Sequence, residues 1–503
     1  MSRFRRSRIP TGVVWGAVAA LILAGAACGG ETPMRRNVLM IAIDDMNDWV
    51  GPLGGHPMAR TPNLDRLAER GTTFLNAHVQ APLCNPSRVS LLLGLRPSTT
   101  GVYGLAPLHW NVPELAARPT VFEHFRSHGY RVAIGGKVFH SMPPPALRGK
   151  FADAWGPMLG AGVRPPSKLV PPTPMGNHPA MDWGVVTNRD EEFGDYRLAS
   201  WACEELKVCA SNQPFFMAVG FFFPHVPCYA NAKWFEPFPD DDSVLPVVRD
   251  DDRNDCPLFS WYLHWHLPEP RLRWLCDQGQ WRNFVRSYLA CTYFMDAQLG
   301  RVLNALESLG LADRTIVVVW GDNGFHLGEK LITGKNSLWE RSTRVPLLFA
   351  GPGIPSRARR TQPAELLDIY PTLTELCGLP RPEGLEGRSL VSQLRDPPGP
   401  RTAPAITTHN QGNHSVRSER WRYIRYADGT EELYDMVHDP HEWTNLARDP
   451  RYADVVAEHR RWLPRRDADP VRGSADRVLV YDPETDTAVW EGRPVRRGDP
   501  IPE

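Results

Sequence analysis

The sequence has no excess of charge of either sign: 57 Lys and Arg balance 57 Asp and Glu over 503 residues. The basic footprint that nucleic-acid binding requires is therefore absent, and no nucleic-acid partner is expected. Its nine cysteines include no Cys-x-x-Cys pair, which argues against a thiolate zinc site. The uncharged run Thr11 to Ala27 is 17 residues long, barely enough to cross a bilayer. What the chain has in excess is proline, 49 residues or about twice the usual share, beside 42% hydrophobic residues. That combination predicts long ordered loops on a large core, and the length suits two domains.

The chemistry concentrates at Pro82-Leu83-Cys84-Asn85-Pro86-Ser87-Arg88, followed by the apolar run Val89 to Gly94. Proline suits a first helical turn, where its missing N–H would be unpaired anyway. Position 84 therefore faces the free N–H groups and positive end of a helix, which favour anions. A small buried cysteine at a helix cap is the plain alternative. Asn37 to Ile43 and Thr315 to Trp320 read as strands buried on both faces, the first ending in Asp44-Asp45 and the second leading through Gly321 into Asp322-Asn323. Ligands of parallel sheets bind beyond the carboxyl ends of their strands. Asp44, Asp45, Asp322 and Asn323, with a fifth donor from position 84, form a hard-oxygen set that favours Ca²⁺ or Mg²⁺ over zinc. Gly129 to His140 reads as a strand entering a glycine turn with Lys137 and His140 after it. Pro214 to Phe223 is another buried strand, followed by Pro224-His225.

Cys84-Asn85-Pro86-Ser87-Arg88 resembles the Cys-x-Pro-Ser-Arg signature of the sulfatases of the alkaline-phosphatase superfamily. The resemblance runs from about residue 37 to 447. It implies an α/β fold: a large mixed sheet with helices on both faces, plus a small C-terminal antiparallel sheet, for which Trp421 to Arg425 and Glu432 to Tyr434 read as strands. The expected divisions are a leader and linker at 1–36, a catalytic domain at 37–395, and a C-terminal subdomain and tail at 396–503. The resemblance further implies a sulfuric ester hydrolase in which a formylglycine-generating enzyme converts Cys84 to formylglycine, whose hydrate attacks sulfur. One Ca²⁺ is held by Asp44, Asp45, Asp322, Asn323 and residue 84. Arg88 favours the alkoxide, Lys137 and Lys335 bind the sulfate oxygens, His225 or Lys335 protonates the leaving alcohol, and His140 helps the second hydroxyl expel sulfate. Taken without the resemblance, Lys137, His140 and Lys335 also read as two surface lysines and a satisfied histidine.

Gly136-Lys137-Val138-Phe139-His140 looks like the iduronate-2-sulfatase and choline-sulfatase side of the family, so the expected substrate is a sulfated sugar or another small sulfate. Phe223 stands where iduronate-type relatives often have lysine, and Asn323 where they often have histidine. Three alternatives stay open: a phosphodiesterase or phosphonate hydrolase of the same superfamily, an anion-binding lipoprotein with Cys84 unmodified, and a structural envelope protein. The Trp- and Asp-rich stretch 231–285 reads as a cover over the core with solvated acidic loops, or as a sugar- or ammonium-stacking surface.

Arg3, Arg5, Arg6 and Arg8, the uncharged run, and Gly25-Ala26-Ala27-Cys28-Gly29-Gly30 read as an export leader. The last segment resembles a bacterial lipoprotein box, with Gly25 where leucine is preferred. An exported protein, periplasmic or at the cell surface and anchored through lipidated Cys28, is expected; a plainly cleaved signal and an uncleaved anchor are the alternatives. With Cys28 and Cys84 modified, seven cysteines remain, and no disulfide framework is inferred, although Cys203 and Cys209 are near enough in sequence to pair.

Overall fold

Eight strands form the central sheet of the computed structural model, which describes residues 35–210 and 213–502. In chain order they are β1 (Asn37–Ile43), β2 (Gly71–Phe74), β3 (Arg131–Gly136), β4 (Ala154–Trp155), β5 (Phe215–Phe221), β6 (Thr315–Gly321), β7 (Leu347–Ala350) and β8 (Ala358–Arg360). Their order across the sheet is β8-β2-β7-β6-β1-β5-β3-β4. β1 lies between β5 and β6, parallel to both. β7 is antiparallel to both of its neighbours, which makes the sheet mixed.

The apolar run of β1 is unbroken because both faces of the sheet are covered. Leu39, Ile41 and Ile43 enter one core, Val38, Met40 and Ala42 the other. On the first face lie α1 (Pro62–Glu69), α3 (Gly194–Cys209) and α4 (Trp281–Ser308). On the second lie α2 (Cys84–Leu93) and the helix Ile369–Leu376. Strands Ala405–Thr408, His414–Arg417, Trp421–Arg425 and Glu431–Asp435 make the small antiparallel sheet. A further three-stranded sheet spans 479–495 in the tail.

Thr61 to Gly71 reads from sequence as a capped amphipathic helix closed by glycine; α1 covers Pro62–Glu69, and Gly71 begins β2 instead of capping it. Thr61 makes no side-chain cap. The carboxylate of Asp296 on α4 does so, accepting from Asn63 N, Asn63 Nδ2 and Leu64 N, each at 2.9 Å. Asp296 is thus the cap that ties α1 to α4. Asp296→Ala is expected to cost about 1–2 kcal/mol, the loss of a helix cap, measured as a lower urea midpoint; Asp296→Asn, keeping one acceptor, should lose less.

Two other expectations are corrected. Asp252 is not solvated loop charge: it is buried against Lys330, with Oδ1 2.7 Å from Nζ, because a buried ammonium needs a counter-charge. Cys203 and Cys209 do not pair; the eight cysteines among the described residues are free thiols. Trp265 is buried, and Trp274 and Trp281 pack against the core, as a cover would. No helix among the described residues is long and apolar enough to cross a membrane. The leader, including Cys28, lies outside the described residues.

Candidate active site

Five carboxyl-end segments and one helix start converge above β1. Cys84 is the first residue of α2, and the N-cap Leu83 is extended (φ −159°, ψ 136°) with no side-chain cap. Every residue of α2 is buried. The Cys84 thiol donates toward Asp44 Oδ1 at 3.5 Å and Asp45 Oδ1 at 3.7 Å. Lys335 Nζ donates to its sulfur at 2.9 Å, and Lys137 Nζ stands 3.8 Å away. Lys137 also pairs with Asp44, and Lys335 with Asp45.

Arg88, one turn along α2, is 1% exposed and binds from underneath. Its Nε donates to Asp322 Oδ2 at 2.8 Å and its Nη2 to Asp44 Oδ1 at 3.0 Å, while Nη1 reaches the carbonyls of Lys137 and Val138. Asp322 Oδ1 accepts the Asp45 amide at 2.9 Å, and Asn323 Nδ2 donates to Asp45 Oδ1 at 2.8 Å. Lys335 follows Gly334, whose φ of +87° lies in the left-handed region. A Cβ there would also meet Glu269 Cγ at 2.6 Å, so both conformation and space require glycine.

One oxygen or sulfur from each of Asp44, Asp45, Cys84 and Asp322 lies within 4.8 Å of the others. Asp45 Oδ2 and Asn323 Oδ1 are buried with no hydrogen-bond partner among the described residues. Converging hard oxygens with two acceptors left over fit an oxygen-loving dication. His225 Nε2 stands 3.7 Å from Asp45 Oδ2. Of the ten residues expected to form the site, nine contact one another in this way; His140 joins only as a wall of the same cavity, its Nδ1 unpartnered.

Burial opposes ionisation of Asp44, but Lys137, His225, Arg88 and Lys335 overcome it and hold its pKa well below the usual carboxylate range. Burial likewise raises Asp322, to about 6, against the pull of Arg88. Burial pushes the Cys84 thiol up in spite of both lysines, so it stays protonated at neutral pH. Burial and then Lys137 push His140 down to about 3 and His225 to about 4. Both histidines are neutral in the folded protein and take up protons first when it unfolds. Their contribution to stability is whole above pH 6.5 and is lost as pH falls toward 4, at up to about 1.4 kcal/mol per pH unit for each group. Melting curves from pH 7 to 5 should fall, and His140→Phe should flatten part of that slope; an unchanged slope would mean that other groups set it.

The site opens into a cavity of about 720 Å³. Its walls come partly from 157–160 and 175–181, and partly from residues that sequence reading did not single out. Asp195 is buried and accepts the Phe222 and Phe223 amides at 2.8 and 3.0 Å, which fixes the turn carrying His225. Asn336, next to Lys335 and outside the cavity lining, has φ +71° and a buried side-chain amide without partners among the described residues. Glu269 and Arg477 stand in the cavity wall. Asp195, Glu269 and Arg477 have no motif around them, and they meet the site only through the tertiary fold.

Comparison with known proteins gives the family. The sulfatase family model matches residues 36–379, two thirds of the chain. The chain belongs to the sulfatase family. A second model, the C-terminal part of N-sulphoglucosamine sulphohydrolase, matches 328–468 of this sulfatase. A sulfatase of Formosa agariphila is 39% identical over 447 residues, covering 86% of this chain and 87% of that one. Choline-sulfatase of Rhizobium meliloti is 28% identical over 511 residues, covering 93% and 95%. Among solved structures, a 2-O GAG sulfatase superposes with a TM-score of 0.67 at 27% identity, covering 85% of this chain and 91% of that one. This sulfatase is accordingly a sulfuric ester hydrolase with the α/β fold expected from its motif.

Proposed function

We propose that this sulfatase hydrolyses the sulfate ester of a sugar, using formylglycine made from Cys84 and one bound Ca²⁺. The observation that carries the reading is the Cys84 side chain itself: at a helix start, between two lysines and two aspartates, yet held as a neutral thiol. Thiolate is the nucleophilic form of cysteine, so this group as it stands is a poor nucleophile in a site built for one. Conversion to formylglycine supplies a geminal diol, one hydroxyl to attack sulfur and the other to expel the sulfate. A formylglycine-generating enzyme is the maturation partner this requires. Asp44, Asp45, Asp322 and Asn323 would hold the Ca²⁺, which lowers the pKa of a hydroxyl beside it.

The chain's own residues do the rest. Lys137 and Lys335 aim ammonium groups at the space over Cys84, where sulfate oxygens gather charge. Arg88 keeps Asp44 and Asp322 ionised beneath it. Neutral His140 accepts a proton from the diol without first losing its own. His225 or Lys335 faces the leaving oxygen from the cavity side.

A sugar is favoured over choline by the walls. Among the described residues, Phe222 is the single Phe, Tyr or Trp lining the cavity, whereas a quaternary ammonium is held by several aromatic faces. The 2-O GAG sulfatase neighbour acts on sulfated glycans, which supports the same class. Export and anchoring through Cys28 are part of this proposal, supported by the basic start and the lipoprotein-like box. Protein produced with a formylglycine-generating enzyme is expected to show an aldehyde mass at the Cys84 peptide and to release sulfate from sugar sulfates, not phosphate or phosphonate from matching esters. An unmodified thiol beside a converted control sulfatase sinks the mechanism. Ca²⁺ at a hundredfold over its Kd is expected to add about 2.7 kcal/mol to stability, and Asp322→Asn to remove most of that shift in melting temperature.

A further inference from the structure

Part of the cavity wall, Asp476, Arg477 and Glu491, is built by a segment beyond both family matches, which end at residues 379 and 468. That segment is pinned to the loop after α2. Ala106 and Ala475 exchange backbone hydrogen bonds at 3.2 Å, and Leu105 N donates to Asp476 O at 2.9 Å. Two successive non-glycine residues, Asp476 (φ 58°) and Arg477 (φ 74°), then take left-handed conformations, which side chains avoid unless the surroundings hold them there. The Glu491 carboxylate accepts the Arg477 amide at 2.6 Å and helps to fix this turn.

The turn delivers the Arg477 side chain to the cavity. Its Nη1 and Nη2 fork onto Glu269, at 3.0 and 3.1 Å, with Glu269 3% exposed and Arg477 14%. The remaining N–H groups of the guanidinium have no partner among the described residues. A fixed fork of this kind offers donors beside an acceptor at known spacing. The charge around it is unlike that at Cys84. Glu269, Asp476 and Glu491 give three carboxylates against one guanidinium, and the mouth histidines, His178 and His266, are both pushed down by burial. Such a mouth repels a second anion and suits hydroxyl groups. Met158, Met175, Met181 and Pro268 supply apolar wall for the C–H face of a ring.

We propose that Arg477 and Glu269 form a specificity subsite for a neutral, hydroxyl-bearing sugar ring adjoining the sulfated one, with Arg477 donating to and Glu269 accepting from its hydroxyls. This deepens the sulfatase reading and rests on it for the position of the sulfate. The test uses converted full-length enzyme with three probes: 4-nitrophenyl sulfate, a monosulfated disaccharide whose second ring is a neutral hexose, and its counterpart whose second ring is a uronate. The wild type is expected to favour the hexose disaccharide over the uronate. Arg477→Ala should lower kcat/KM on the hexose disaccharide on the order of 30-fold, the weight of a charge-assisted hydrogen bond, a loss about tenfold larger than on the aryl sulfate. Arg477→Lys should not restore it, since the fork is gone, and Glu269→Gln should narrow the preference against uronate. A wild type that prefers the uronate overturns the subsite, as does an Arg477→Ala loss equal on all three probes. Should no sulfate be turned over, calorimetry of the hexose disaccharide against the unconverted thiol form separates the two ideas. Weaker binding by Arg477→Ala then upholds the subsite while the catalytic reading fails, and unchanged binding overturns the subsite as well.

Discussion

Replacing Cys84 with alanine is expected to abolish sulfate-ester turnover, a loss of about 10⁴-fold or more, as for removal of other enzymic nucleophiles. The fold should persist, because alanine is at home in the first turn of α2 and the surrounding charges pair with one another. Lys335 keeps Asp45, Lys137 keeps Asp44, and Arg88 keeps Asp322. Cys84→Ser distinguishes the proposed chemistry from plain electrostatic catalysis. A serine ester of sulfate lacks the second hydroxyl and would need water to attack sulfur. Serine is thus expected to give at most a single turnover, with sulfate retained on the peptide that contains residue 84. Steady turnover by the alanine variant would place the nucleophile elsewhere.

Arg88→Met is the second large effect, and it is one of stability as much as rate. Arg88 is the ion-pair partner of Asp322 and shares Asp44 with Lys137. Removing one member of a buried, hydrogen-bonded ion pair costs about 3–5 kcal/mol, because the remaining charge is left without compensation. The sign of its pH dependence follows. Asp322 already has a pKa near 6 with Arg88 in place, and losing the guanidinium raises it further. A carboxyl whose folded pKa exceeds its unfolded value loses stability as pH rises through that range. The penalty should therefore be larger at pH 7.5 than at pH 5.5, where Asp322 takes up a proton. Urea unfolding of both proteins at the two pH values checks this. A penalty below about 1 kcal/mol, within reach of a surface pair, would mean that Arg88 is not the counter-charge of the site.

Much of this was legible in the chain because the important residues sit at the ends of unbroken apolar runs. Val38 to Ile43 and Ile316 to Trp320 announce strands covered on both faces, and charged groups at the ends of such strands have few structural reasons to be there. The signature at 84–88 added the helix start. Arg477 had no such marker: it lies in a polar tail, more than 200 residues from Glu269, and only packing brings them together. Asp252 differs from its reading as solvated loop charge for a related reason. Local sequence shows an acidic residue but not the buried Lys330 that it answers.

By itself, then, the sequence determined β1, β3, β5 and β6 of the central sheet, the helix start at Cys84, and the oxygen and ammonium groups gathered there. Periodicity and strand ends are local properties, carried by neighbouring residues. Only the tertiary structure decided that Asp296 caps α1, that burial keeps Cys84 a thiol and His140 and His225 neutral, and that the tail closes the cavity with Arg477 against Glu269. Those outcomes depend on which distant groups share one dry space, and the energy of a charge there is set by its neighbours rather than by its place in the chain.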